Sequence, residues 1–517
     1  MLIVLPDHLR VSGITTWAMH AIRGLRERSI PSGIIVHTKE GESVPEFLEP
    51  YVVANLENAT SIQRLHGSLD ELVPLYLETI KKFHAITGQP VLVSPNLHGD
   101  CYGAIAMIAQ EHPELVRVAA WIHSDNEYDI AVAKRYEPMI HAIVPVSREL
   151  CEIVQRVIPS RAADVFHIPY CVEVYQEQHR REPREGRPLR LVYTGRLDEH
   201  QKRVSSLPLL ARNMKEAGLD FEFRIVGDGP LMEDLSEATA MIEEITLVGS
   251  VPPDRVRSHL QWGDVWVLPS RYEGQSVAML EALSEGCVPI VTQVRSGSQD
   301  AVIDGKTGLC VESEWNTPIE VVAERISDAI LSLPSRGMDQ MAHNAHELAL
   351  QNHSVPIHID AIEKLMMHVQ AMPAHRWPSD IRASYSAKDL ELDGSTPPDA
   401  SKRMSQLLAS LKGKRVLIYC SGQHTKDISA VFEASPVEVI GIIDDDPSKI
   451  GTGLIGYPIF TPEMIPDLGA TELVISSWIY EDTIWARREE FELFGVRLHR
   501  LYPVEESRTS LLARMGK

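Results

Sequence analysis

Two glutamates with seven residues between them, Glu273 and Glu281, frame the segment EGQSVAMLEALSEGCVPIVT, which follows the apolar run VWVLP. A helix opening near Ser276 leaves Glu273 in the loop before it and carries Glu281 more than one turn into it. The backbone amides of Gly274, Gln275, Ser276 and Val277 then stand at a helix N-terminus, where they lack intrahelical acceptors and the macrodipole favours an anion. A diphosphate fits that description. Carboxylates cannot bind phosphate, but they accept hydrogen bonds from hydroxyls, so the natural partners on either side of the anion are sugar hydroxyls. A glutamate pair at this spacing is common by chance, and the reading depends on its surroundings.

Those surroundings supply cations. Gly195, Arg196 and Lys202 lie just beyond the run RLVYT, at the carboxyl end of a strand, where open sheets bind ligands. Two cations beside a leaving diphosphate can replace a divalent metal, each worth about a few kcal/mol at close range. The plainer reading of Arg196 is an ion-pair partner for Asp198 or Glu199. His123 closes the run VAAWI and is expected to point into a cleft; its plainer reading is a satisfied core histidine. Gly305-Lys306-Thr307 imitates the tail of a phosphate-binding loop, but Asp300 stands where the first glycine is required, and a hairpin turn is expected there.

Elements must hold these residues in place. At 517 residues the chain is too long for one core. Residues 1–182 alternate apolar runs (LIVLP, GIIVHT, VLVSP, VAAWIH, HAIVPVS) with amphipathic stretches, the pattern of a parallel sheet covered by helices. It restarts over 183–370 with RLVYTG, FEFRIVG, ITLVG, VWVLPS and VPIVT, so two open α/β domains face a cleft. Residues 371–410, rich in Pro, Ser and Asp, read as a linker. A third, small nucleotide-binding-like α/β domain over 411–517 carries KRVLIYCSG, VEVIGIIDDD, LVISS and VRLHRLY.

The segment around Glu273 and Glu281 closely resembles the signature of the retaining glycosyltransferases of family four, which have the GT-B fold of two Rossmann-like domains. YTGRLDEHQKR, IVGDGP, LVGSVP, GDVWVLPS and DGKTGLCV resemble further family segments in the same order, as do AIVPVSRELCEIV and HIPYCVEV. The resemblance covers roughly residues 1–370. It implies that Glu281 holds the ribose of the donor nucleotide, Glu273 holds hydroxyls of the transferred sugar, and Arg196 and Lys202 clamp the diphosphate. It also implies that His123 contacts the sugar at the reaction centre and that Gly13, in VSGITTW, approaches the phosphates. Two departures stand out: Ser12 replaces one of the usual adjacent glycines, and the family's Pro-Asn-Gly-Val-Asp turn reads Pro169-Tyr170-Cys171-Val172-Glu173 here.

The implied reaction is metal-independent transfer of a hexose-type sugar from a UDP- or GDP-sugar to a glycan, lipid-linked or other acceptor, with retention through same-face attack. No further cofactor is implied. The alternatives are a nucleotide-sugar-binding sensor or scaffold without turnover, and a GT-B-fold nucleotide-sugar epimerase.

The third domain resembles the nucleotide-binding-like N-terminal domain of bacterial sugar acyltransferases. Gly422, in the turn after its first strand, and Asp444, at the end of its second, are candidate ligand residues; docking or homo-oligomerisation is the other expectation for this domain. A net charge of −22 opposes non-specific binding to nucleic acid or anionic lipid. Six scattered cysteines suggest reduced thiols. The opening MLIVLPDHLR reads as a buried strand rather than a secretory signal, and no apolar run is long enough to span a bilayer. A cytoplasmic protein, at most peripheral at the inner membrane face, is expected.

Overall fold

The computed structural model describes residues 1–6, 9, 12–39, 41–57, 69–96, 98–124, 127–179, 182, 186–199, 201–294, 297–314, 317–384, 399–446, 449–451, 453–478, 480–485 and 487–502. The chain divides into two compact units, 1–386 and 387–517.

The first unit holds two parallel six-stranded sheets. In one, β1 (Leu2–Leu5), β2 (Gly33–His37), β3 (Val52–Leu56), β4 (Val91–Ser94), β5 (Val116–Ile122) and β6 (Ile140–Pro145) run in the order β3-β2-β1-β4-β5-β6. In the other, β7 (Leu189–Thr194), β8 (Phe221–Val226), β9 (Ile245–Gly249), β10 (Val265–Leu268), β11 (Val288–Gln293) and β12 (Leu309–Glu312) run in the order β12-β11-β10-β7-β8-β9. The central strands are apolar without interruption because both faces are covered by helices; every residue of β1, β4, β5 and β10 is buried. Strand order reverses between β1 and β4 in the first sheet and between β7 and β10 in the second. Loops leaving the carboxyl ends of such neighbours splay apart and open a crevice.

Two helix starts face those crevices. Ser12 caps the helix Gly13–Glu27 in a reciprocal arrangement with Thr15. Ser276 caps the helix Val277–Ser284, its Oγ accepting from the Met279 amide at 3.3 Å. That start agrees with the expected opening near Ser276.

The helix Val355–Ala371, read in sequence with the second domain, crosses to the first sheet. Its Ile359 packs against Gly24, where a Cβ would stand 2.6 Å from Cγ1, and Arg28 pairs with its Asp360 and Glu363 at 2.6 and 3.0 Å. Part of the 371–410 stretch follows it there. Arg117 donates to the carbonyls of Val369 and Met372, His375 stacks on His141 with ring centroids 4.0 Å apart, and Trp377 is fully buried beside Tyr136. Residues 385–398 lie outside the described residues. A Pro- and Ser-rich composition does not reveal that one tryptophan anchors the segment.

The second unit is a third sheet: β13 (Arg415–Tyr419), β14 (Glu438–Ile443), β15 (Gly453–Leu454), β16 (Tyr457–Phe460), β17 (Glu472–Ile475) and β18 (Arg497–His499), in the order β15-β16-β14-β13-β17-β18, parallel except for β15 with β16. The helix Ala400–Ser410 contributes Met404 and Leu408 to its core. Among the described residues no helix is long and apolar enough to cross a membrane.

Because Trp377 is wholly buried, Trp377→Ala is expected to destabilise the first unit by about 3–5 kcal/mol. A thermal transition unchanged from wild type would show that the segment contributes nothing to the first core.

Candidate functional site

Sequence chemistry and topology converge at the β7–β10 crevice. The β7–β8 pairing continues past the strands, with the Gly195 amide on the Val226 carbonyl at 3.0 Å and the Leu197 amide on the Asp228 carbonyl at 2.9 Å. Only a bare Gly227 permits this, since a Cβ there would overlap the Gly195 carbonyl oxygen. Gly195 itself has φ +153°, a value that favours glycine. The loop beyond is stitched to the one after β10: the Arg271 amide donates to the Gln201 carbonyl at 2.8 Å, and the Arg271 guanidinium grips the Glu199 carbonyl.

This stitching brings Lys202 onto Glu273, Nζ to Oε1 at 2.5 Å. The same oxygen accepts from Ser270 Oγ at 2.7 Å, and Oε2 from Gln201 Nε2 at 3.4 Å. Glu273 is only 5% exposed. Arg196 is half-exposed and gives its Nε to Asp198 at 2.8 Å, so the plainer sequence reading of an ion pair with Asp198 is present in the structure. That pair spends one nitrogen of five-donor guanidinium geometry.

Glu281 differs from Glu273. Its carboxylate has no hydrogen-bond or ion-pair partner among the described residues. It is half-buried, and burial pushes its carboxyl up to about 7.

The other wall comes from the first sheet. A Cβ on Gly274 would overlap the His123 carbonyl oxygen, so the loop carrying Glu273 lies main chain to main chain against the end of β5. On its other side the Gly297 amide donates to the Gly274 carbonyl at 2.5 Å. A Cβ on Gly13 would stand 3.3 Å from Val277 Cγ2; the first residues of two helices therefore meet across the crevice. Gln275 Oε1 accepts from the Tyr170 amide at 2.6 Å, and Asp300 Oδ2 from the Arg148 amide at 2.8 Å. Gly305 closes a tight turn, its amide on the Gly308 carbonyl.

The His123 ring is buried, with Nδ1 against Tyr170 Oη at 2.6 Å and Nε2 against Asn96 Oδ1 at 3.1 Å. Burial holds it neutral, lowering its pKa to about 3. What borders the crevice is its carbonyl. Sequence reasoning overlooked Asn96, Tyr170 and Asp129. Asn96 follows a switch-point strand, a positional signal that was available; Tyr170 departs from the expected turn. Asp129 carried no signal. It lies 3.5 Å from Ser124 Oγ, and burial raises its carboxyl to about 7.

In the second unit Asp444 is occupied from within. It accepts from the Ser421 amide and hydroxyl at 2.8 and 2.5 Å and from the Asp446 amide at 3.0 Å, and it pairs with Lys449 at 3.2 Å. Gly422 starts a helix of five residues, Gln423–Asp427.

Residues 188–333 match the family model described as glycosyl transferases group 1, which bears out the family resemblance carried by the motifs. The chain is similar to alpha-D-kanosaminyltransferase of Streptomyces kanamyceticus, at 29% identity over 174 residues, 33% of this chain and 43% of that protein. It is also similar to the GDP-mannose-dependent alpha-(1-6)-phosphatidylinositol monomannoside mannosyltransferase of Mycolicibacterium smegmatis, at 29% over 143 residues, 26% of this chain and 35% of that protein. It thus spans under half the length of these curated relatives. Among solved structures, Anabaena HepE in complex with UDP superposes with a TM-score of 0.53 at 14% identity, covering 71% of this chain and 99% of that one. The architecture of the first unit is GT-B.

Two outcomes follow from the geometry. Gly274→Ala must push the two halves apart, which is expected to destabilise the first unit by about 1–3 kcal/mol and to speed amide hydrogen exchange at residues 123, 124 and 170; unchanged exchange would mean that the contact holds nothing. Glu281 holds its proton more tightly when folded than its ordinary value of 4.5 allows, so its ionisation opposes folding above pH 7 and has no effect below about 4.5. Glu281→Gln is therefore expected to stabilise the protein at pH 8 by up to roughly 3 kcal/mol, a gain that shrinks as pH falls from 7 and is absent at pH 4. Denaturant unfolding at the two pH values checks this, and a gain at pH 4 would contradict it.

Proposed function

We propose that this protein transfers a hexose-type sugar from a nucleotide-diphosphate sugar to an acceptor, with retention at the anomeric carbon and without a divalent metal. The observation that carries the reading is the meeting of two helix N-termini, at Gly13 and Val277, beside the loop that holds Lys202 and Glu273 together. First-turn amides of the two helices and the side chains of Arg196 and Lys202 supply the positive potential that a leaving diphosphate needs.

Roles then distribute by chemistry. Glu281, half-buried and without a carboxylate partner among the described residues, gains when donor ribose hydroxyls bond to it. Glu273, aimed by Ser270 and Lys202, takes hydroxyls of the transferred sugar, and an incoming diphosphate gives Lys202 a second anion to bridge. Glu273 spends its carboxylate on Lys202, Ser270 and Gln201 rather than standing free as a nucleophile. This favours same-face attack, in which the acceptor hydroxyl passes its proton to a donor phosphate oxygen while Arg196 and Lys202 stabilise the departing charge. The acceptor, a glycan, lipid-linked or other hydroxyl compound, approaches from the first sheet. Candidate donors are UDP- and GDP-sugars, since HepE is described in complex with UDP and the mycobacterial relative as GDP-mannose-dependent.

A thermal-shift screen of UDP, GDP, ADP and their sugar conjugates, with and without EDTA, on wild type and Arg196→Ala tests this. At a hundredfold excess over Kd, the right nucleotide is expected to stabilise by about 2.7 kcal/mol, insensitive to EDTA and largely lost in the variant. Turnover that releases nucleoside diphosphate would then separate transfer from epimerisation or sensing. A shift abolished by EDTA would overturn the metal-free clamp, and no shift with any nucleotide would overturn the donor site.

A further inference from the structure

We propose that Tyr170 is a positioning residue that locks His123 to the loop bearing Glu273, so that the main chain at 123–124 is set against Gly274 only when the two halves are seated together. This rests on the transfer reaction proposed above.

Tyr170 bonds in three directions. Its amide donates to Gln275 Oε1 at 2.6 Å, across the crevice. Its carbonyl accepts from His353 Nδ1 at 3.1 Å, and the adjacent Pro169 carbonyl accepts from His358 Nδ1 at 2.8 Å, both from the segment that returns from the second half. The His358 proton lies on Nδ1 because Nε2 receives the Trp17 indole N–H at 3.1 Å. The third bond joins its phenol to His123 Nδ1 at 2.6 Å, with the two ring planes within 18° of each other, edge to edge.

The direction of that third bond follows from its neighbours. Asn96 Nδ2 donates to the Val4 carbonyl at 3.3 Å, so Oδ1 faces His123 and also accepts from Ser94 Oγ at 2.8 Å. An oxygen can only accept, hence His123 Nε2 carries the ring proton and Nδ1 presents a lone pair to the phenol O–H. Burial, assisted by nearby Asp129, keeps that phenol protonated. Without the hydroxyl, Nδ1 would be left buried and unsatisfied, and the Nε2–Asn96 bond alone would tie the ring, leaving the strand end whose carbonyl meets Gly274 with one tie where it has two. Asparagine, the residue of the family's turn at this position, carries no such ring, so the arrangement belongs to this chain rather than to the motif.

Tyr170→Phe keeps the ring and removes only the hydroxyl. Long-range nitrogen–proton spectra of histidine-labelled protein, with the His123 signals assigned through His123→Gln, are expected to show Nε2–H in wild type and a displaced Nδ1 resonance in the variant. With the nucleotide sugar that wild type turns over, kcat is expected to fall at least tenfold while the Kd of the matching nucleoside diphosphate stays within twofold. In a His123→Gln background the same substitution should change kcat less than twofold. An unmoved Nδ1 resonance, or an equal kcat loss in both backgrounds, would overturn the proposal. If wild type turns over no nucleotide sugar, the transfer reading fails, whereas the Nδ1 resonance still decides the Tyr170–His123 link. Should Tyr170→Phe not fold, Gln275→Met releases the amide end of the same link and is expected to shift the same resonance; no shift there would overturn the coupling.

Discussion

Gly274 lies so close to the His123 carbonyl that no side chain fits between them, and the candidate site depends on this main-chain contact. The loop with Glu273 and the first turn of the helix Val277–Ser284 belong to the second sheet, yet their position is set from the first. Gly297 presses from the other side, Gln275 reaches to Tyr170, and Asp300 accepts the amide at the start of another first-sheet helix. Backbone hydrogen bonds and glycine contacts tolerate little displacement, so small motions between the halves become changes at the candidate site.

Electrostatics explains why the two signature glutamates are not equivalent. Glu273 has its charge met by Lys202 and two hydrogen-bond donors, an arrangement that offsets its burial. Glu281 has neither, and its raised carboxyl records an unmet need for hydrogen-bond donors. In a chain with net charge −22, Lys202 and Arg196 stand beside the crevice where two helices start, each paired with a carboxylate.

Legibility in the sequence tracked burial. Strands covered on both faces, such as VWVL and VAAWI, announced themselves as unbroken apolar runs. The edge strands VVANL and LCVE, and YPIF beside the two-residue β15, are each only partly buried; they have no such run, and the sequence reading passed over them. Likewise the expected linker 371–410 contains Trp377, whose burial no local pattern reveals, and the helix Ala400–Ser410 at its end, which joins the third core.

Periodicity and cap chemistry, being local, were enough to determine three α/β sheets, a helix starting at Ser276, and the segments bearing Arg196, Lys202, Glu273 and Glu281. Only the tertiary structure decided that Lys202 reaches Glu273, that His123 spends both ring nitrogens inside the protein and shows the crevice its carbonyl, and that Tyr170 joins them. Those pairings link residues 27 to 105 positions apart. Such contacts are set by how two sheets close on each other, and that packing leaves no periodic trace in either partner's sequence.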